Sequence, residues 1–197
     1  MFHVKHKTYD IVVVGAGHAG VEAAVMASRL GCATALVTFN EDDLGTLSCN
    51  PAMGGLGKGH LIREIDALGG LIGKASDNSG IQFKVLNKTR GAAVQGPRAQ
   101  IDRNLYKKSM RSLINNEKID ILIDEVEHIY LDSNRIDSLS LKNTGKLWCK
   151  SLIVTTGTFL SGKIYRGDES WSAGRLNSKP SISLASFFKH NFKVSRL

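Results

Sequence analysis

The chain has 197 residues, of which 42% are hydrophobic and 22% charged, enough for one folded domain with a buried core, and this composition excludes wholesale disorder. Its 20 glycines follow no period, which excludes a collagen-like chain and points to tight turns and close backbone approach. The formal charge is +8, with 16 basic against 10 acidic side chains over residues 101–197 and 10 against 8 over residues 1–100, a balance that favours a polyanion or a nucleotide cofactor as partner.

In chain order, the first element is the clearest. The β-branched run Ile11, Val12, Val13, Val14 predicts a buried parallel strand. Gly15-Ala16-Gly17-His18-Ala19-Gly20 follows at once, then a helix over 21–30 stopped by Gly31, then a second strand over 33–38. A G-x-G-x-x-G turn inside such a strand–helix–strand unit is the dinucleotide-binding arrangement. Residues 40–60 read as a long Gly-rich loop, and 61–68 as a helix closed by Gly69 and Gly70. A strand is predicted over 81–86 and a helix over 98–115. Residues 119–150 read as a β-rich insertion between strands of the main sheet, with a hairpin turn at Asn143-Thr144-Gly145. A buried strand over 151–156 and a short helix over 182–190 complete the chain. The fold class is α/β, a Rossmann-type dinucleotide domain over 8–197 with residues 1–7, including His3 and His6, as a short exposed tail.

In the glycine turn, Gly15 allows the tight bend, Gly17 lets backbone approach a pyrophosphate, and Gly20 lets helix and strand pack closely. His18 packs or caps there without a catalytic role. The acid that usually ends the second strand is missing, and Asn40 or Glu41 is the substitute available for ribose hydroxyls. The 48–60 segment fails the phosphate-loop spacing, because Ala52 stands where Gly is needed and Gly59 follows Lys58. It reads either as an inert loop or as one that sets Cys49 beside a cofactor, with Lys58 and His60 placed to activate the thiol. Cys32 and Cys149 read as core fillers, and the three cysteines form neither a disulfide framework nor a metal site. Arg98, Arg103, Lys107, Lys108 and Arg111 share one predicted helix, either a nucleic-acid surface or a solvated face. No apolar run approaches the roughly 20 residues of a membrane span, and MFHVKHKTYD has no apolar signal core, so a reducing cytoplasm is expected.

GAGHAGVEAA, LSCNPAMGGLGKGHLIREIDALGG, GIQFKVLN, GPRAQIDR and LIVTTGTFLSGKI together resemble the N-terminal part of the MnmG (GidA) family of tRNA uridine 5-carboxymethylaminomethyl modification enzymes. The similarity runs from about Tyr9 to the last residue, and SCNPA with the GGLGKGH loop is its most specific part. The resemblance implies a glutathione-reductase-like FAD domain. It implies FAD contacts at Gly15, Ala16, Gly17, His18, Ala19, Gly20, Val126 and Ser181, and a flavin-side backbone approach at Gly157. It implies Cys49 as a cysteine associated with activity. It implies tRNA as substrate, NADH and methylenetetrahydrofolate as co-substrates, the GTPase MnmE as partner, and a homodimer. Family members are far longer, so the resemblance also implies a truncated FAD domain, and a non-catalytic remnant that at most binds FAD stands as the alternative. A simple nicotinamide-dependent oxidoreductase is the second alternative, with the missing strand-end acid and the SCNPA loop against it.

Overall fold

The computed structural model describes residues 8–195. The expected tail over 1–7 lies outside the described residues. β1 (Thr8–Val14) is the central strand, and Val12, Val13 and Val14 bury almost completely. α1 (His18–Arg29) leaves it through the glycine turn and returns to β2 (Thr34–Thr38), all five residues of which are buried. A 3-10 turn (Glu41–Asp43) is followed by β3 (Ala52–Gly54), α2 (Lys58–Ala67), α3 (Ile72–Ser79), β4 (Gly80–Leu86), β5 (Gly96–Ile101) and α4 (Arg103–Ile114). Then come β6 (Ile119–Ile123), β7 (Val126–Asp132), β8 (Arg135–Leu141), β9 (Gly145–Val154), β10 (Lys163–Arg166), β11 (Glu169–Ser172) and α5 (Ile182–Asn191).

The main sheet has the order β6-β2-β1-β9-β8-β7. β6, β2, β1 and the second half of β9 run parallel, while β7, β8 and the first half of β9 form an antiparallel meander. One face of the sheet packs Val13 and Leu36 against Val21, Ala24, Tyr106 and Met110 from α1 and α4. The other packs Val12, Val14 and Val37 with Leu139 of the meander and Leu184 of α5. β1 sends its helix toward β2 on one side and has β9 on the other. The strand order therefore reverses beside β1, the place where open α/β sheets leave a crevice at their carboxyl ends.

Four expectations need correction. The helix expected over 98–115 is a strand followed by a helix: β5 carries Gly96 to Ile101, and Asp102 caps α4 by accepting from Asn104 N and Leu105 N, both at 2.9 Å. Its buried stripe is Tyr106, Met110 and Ile114, four residues apart, while Leu105 is 50% exposed. The loop expected over 40–60 contains β3, and α2 begins at Lys58, because positive-φ Gly54, Gly55 and Gly57 fold the chain sharply between them. The β-rich insertion is narrower than 119–150 and shares the main sheet: β6 is the parallel edge strand, so the inserted part is the meander. The end of β9, expected to be buried, is half-buried.

One carboxylate fixes the meander to the parallel layer. Asp124 is 5% exposed and accepts from Glu125 N, from Asn143 N and Nδ2, and from Thr144 N and Oγ1, at 2.6 to 3.2 Å. Its own N–H donates to Thr38 O of β2 at 2.8 Å. Burial alone would raise the carboxyl's pKa, but the Thr144 hydroxyl and the backbone N–H donors outweigh it and hold the pKa below the ordinary 3.8. The stability it contributes is therefore complete above the unfolded value and is lost as pH falls through the lower folded one. Asp124→Asn is expected to cost about 2–3 kcal/mol at neutral pH and to lose less further stability than the parent on acidification to about pH 3. Thermal unfolding of both proteins across that range measures it, and parallel curves would refute the assignment.

Candidate functional site

Strand ends, a helix start and two loops enclose a cavity of about 250 Å³. β1 contributes Val14, β2 contributes Val37 and Thr38, and Thr155 and Thr156 follow β9. The glycine turn contributes Gly15, Ala16, Gly17 and His18. Gly157, Val126 and Ser181 also line it. Seven of the residues that the sequence nominated for cofactor contact thus converge on one space. Ala19 and Gly20 do not line it. Ala19 is exposed on α1, and Gly20 is buried beneath the turn.

The turn is built by backbone packing. Gly15 takes φ +104° and donates its N–H to Val37 O at 2.9 Å. Thr155 locks it from the other side, its hydroxyl donating toward Val14 O and Gly15 O, both at 3.0 Å. A Cβ on Gly20 would lie 1.7 Å from Gly15 O and 2.6 Å from Thr155 Oγ1, so only glycine fits there. Gly17 differs: a Cβ there meets no heavy atom within 4 Å. Gly17 is also the N-cap of α1 and has no side chain to satisfy the first-turn N–H groups, which leaves an anion site at the helix start.

His18 begins α1 with its ring 5.7 Å from that of Tyr106. Its Nε2 is buried without a hydrogen-bond partner among the described residues. Burial, and then the charge of Lys58, hold the imidazole below its ordinary 6.5, so it is neutral at neutral pH. An orphaned ring nitrogen beside an open helix start fits a bound diphosphate. No group of side chains among the described residues could hold a metal ion.

The opposite wall carries residues that the sequence did not nominate. Phe39 and Phe159 pack with ring centres 5.9 Å apart, Arg175 lies over Phe159, and Arg175 Nη2 bonds Asp43 Oδ1. Asn40 and Glu41, the expected ribose contacts, do not line the cavity, and Asn40 Oδ1 instead accepts from Asp42 N at 3.0 Å. Asp43 does line it. The signal was present in the sequence: Asn40 is an N-cap residue, and one tight turn later the third of three acids comes back to the strand end.

Cys49 is exposed, as expected, and its neighbour Ser48 lines the cavity, but Cys49 itself does not. Among the described residues, no hydrogen bond or ion pair joins Lys58 or His60 to the thiol. His60 Nε2 lies 3.1 Å from Ala93 O, and the charge of Lys58 is felt at His18. Arg103 instead bonds the Cys49 carbonyl and fixes the loop backbone. Cys149 is a core thiol, raised to about 11 by burial and by Asp137, whereas Cys32 is only half-buried. Of the basic cluster expected on one helix, Arg103, Lys107, Lys108 and Arg111 do share α4, and Arg98 alone stands apart. Arg98 sits on β5, and Lys107 and Arg111 both bond Asp42, at 2.6 and 2.8 Å.

A family model described as glucose inhibited division protein A matches residues 10–197. The Aquifex aeolicus GidA structure is 45% identical with a TM-score of 0.89, and the match covers 93% of this chain and 31% of that one. A GidA-related protein from Thermus thermophilus is 17% identical with a TM-score of 0.68, covering 95% of this chain and 71% of that one, which shows likeness of fold. The Pseudomonas aeruginosa protein pqsL, described as a probable FAD-dependent monooxygenase, is likewise similar in fold at 17% identity and a TM-score of 0.55, over 74% of this chain and 42% of that one. The chain spans about a third of the length of the Aquifex structure.

The two glycines predict opposite outcomes. Gly20→Ala is expected to lose at least about 3 kcal/mol, since backbone on both sides must move. Gly17→Ala is expected to melt within about 0.5 kcal/mol of the parent. Chemical denaturation of both variants checks this, and a Gly20→Ala protein as stable as its parent would overturn the packing account.

Proposed function

Because the chain belongs to the glucose inhibited division protein A family, we propose that it is the FAD-binding part of a tRNA-modifying flavoprotein. The proposed reaction adds a carboxymethylaminomethyl or aminomethyl group to C5 of the wobble uridine, with a GTPase partner, NADH and methylenetetrahydrofolate, in the cytoplasm and as a homodimer. Family membership favours this reading over a simple nicotinamide-dependent oxidoreductase. The observation that carries the reading is the cavity at the carboxyl ends of β1, β2 and β9, closed by an uncapped helix start.

The chain's residues divide the work of holding such a cofactor. The α1 N–H groups and helix dipole take the pyrophosphate charge, Gly17 leaves room for it, and His18 offers a ring nitrogen beside it. Val126, at the start of β7, presents backbone to the adenosine end, and Asp43 offers a carboxylate to ribose hydroxyls. Gly157 and Ser181 line the remaining wall, Ser181 at the start of α5. When bound, FAD supplies two-electron redox chemistry.

Cys49 and Lys58 are the proposed reactive side chains. Uracil C5 is a poor carbon nucleophile until a group adds at C6. The Cys49 thiolate would form the Sγ–C6 bond, shifting the C5–C6 electron pair toward C5, which then attacks the methylene iminium carbon of the one-carbon unit as the C=N electron pair moves onto the folate nitrogen. The amine of glycine, or ammonia, then displaces that nitrogen from the methylene carbon, releasing the folate carrier. Loss of the C5 proton and expulsion of the thiolate restore the ring. Lys58, at the exposed start of α2, contributes a positive charge beside the glycine turn.

Two variants test the proposal. Gly17→Ala, which the fold tolerates, should retain at most about a tenth of the parent's flavin, read by absorbance of purified protein at equal concentration. Equal flavin content would remove the glycine turn from the site. In a full-length protein carrying this segment, Cys49→Ser should keep fold, flavin and tRNA binding but slow modification by more than about a hundredfold. Modification at the parental rate would leave the cysteine as a loop residue.

A further inference from the structure

The hairpin of β4 and β5 breaks a local rule of sheet stability. From residue 80 to residue 101 there are four cations, Lys84, Lys88, Arg90 and Arg98, and no Asp or Glu. Lys84 and Arg98 stand directly opposite one another across the two strands. Like charges in that position destabilise a sheet. Among the described residues, none of the four makes an ion pair or a side-chain hydrogen bond. Asp66 and Asp77 border the same groove without ion-pairing to them. Every residue from 87 to 94 is exposed, so the tip cations project into solvent. A cross-strand cation pair without a carboxylate partner is relieved by an anion from outside, and several along one arm match a repeating anion.

The arm is also joined to the segment that carries Cys49. β5 pairs with β3, whose first residue lies three positions after Cys49, and Ala93 O at the hairpin tip meets His60 of α2. The basic side chains of α4 are less suited to a polyanion, because Asp42 and the Cys49 carbonyl already hold three of them.

We propose that the hairpin of β4 and β5 is an RNA-backbone-binding arm that holds tRNA phosphates beside the Cys49 loop. The inference rests on the tRNA-modifying reading and specifies its contact surface. The test is binding of an unmodified tRNA transcript to the full chain across a salt series. The variant is Lys84→Gln, Lys88→Gln, Arg90→Gln; the control, Lys118→Gln, Lys189→Gln, Lys193→Gln, removes equal charge from exposed sites elsewhere. The hairpin variant should bind at least about tenfold more weakly, with a log–log salt slope shallower by about two units, and the control should change the slope by less than about one. Lys84→Gln alone should melt at or above the parent temperature at low salt, since it removes the opposed pair. A parent that binds no tRNA would sink the tRNA-modifying reading and this surface with it. A parent that binds, with hairpin and control variants alike, would overturn the arm alone. A hairpin variant that keeps RNA affinity but changes oligomeric mass would assign the face to a second copy and overturn it equally.

Discussion

The contact on which the rest of the structure depends is the one between Gly20 of α1 and the backbone of Gly15 and Thr155. A helix can start this close to the end of β1 only if the residue facing the turn has no Cβ, because the space is already filled by a carbonyl and a hydroxyl. That closeness aims the first N–H groups of α1 over the ends of β1 and β9. The place of the uncapped helix start at the edge of the cavity therefore follows from a packing requirement. The uncapped helix start and the helix–sheet contact are two faces of one glycine turn, which is why a Cβ at Gly20 meets the fold and one at Gly17 meets open space.

Around that turn, buried carboxylates hold irregular segments in place. Glu22 of α1, 8% exposed, accepts from Leu71 N and Ile72 N and so anchors the start of α3. Asp124 performs the same task for the meander. Each carboxylate gathers backbone N–H groups that would otherwise be unpaired away from water, and such groups are costly to leave unmade. The walls of the cavity near Phe39 and Val126 are thereby set by elements distant in sequence.

The basic excess divides into two populations. On α4 three of four cations bond within the chain: Lys107 and Arg111 bond Asp42 and lower its carboxyl pKa, and Arg103 fixes the Cys49 backbone. On the hairpin, among the described residues, its basic side chains have no ion-pair partner. A net charge cannot distinguish these cases, because the same side chain neutralises an acid of its own chain or faces outward according to what folds against it.

The sequence determined the nucleotide unit and its flanks. The β-branched run, the 15–20 turn and the stop at Gly31 are local signals, each acting within a few residues, and the structure builds β1, α1 and β2 from them. It also determined the exposure of Cys49, which follows from a loop without apolar period. Only the tertiary structure decided which residues meet. Asp102 turned a single predicted helix into a strand and a helix, because a cap and a strand partner outweighed helical spacing. Asp43 replaced Asn40 and Glu41 at the cavity because a 3-10 turn rotates the third acid inward, where Arg175, far along the chain, holds it. Gly54, Gly55 and Gly57, all at positive φ, redirect the loop between Cys49 and Lys58, whose charge is felt at His18. Local propensity acts through neighbours in the chain, whereas the partners of a charged side chain are fixed by elements that become neighbours only when the sheet closes.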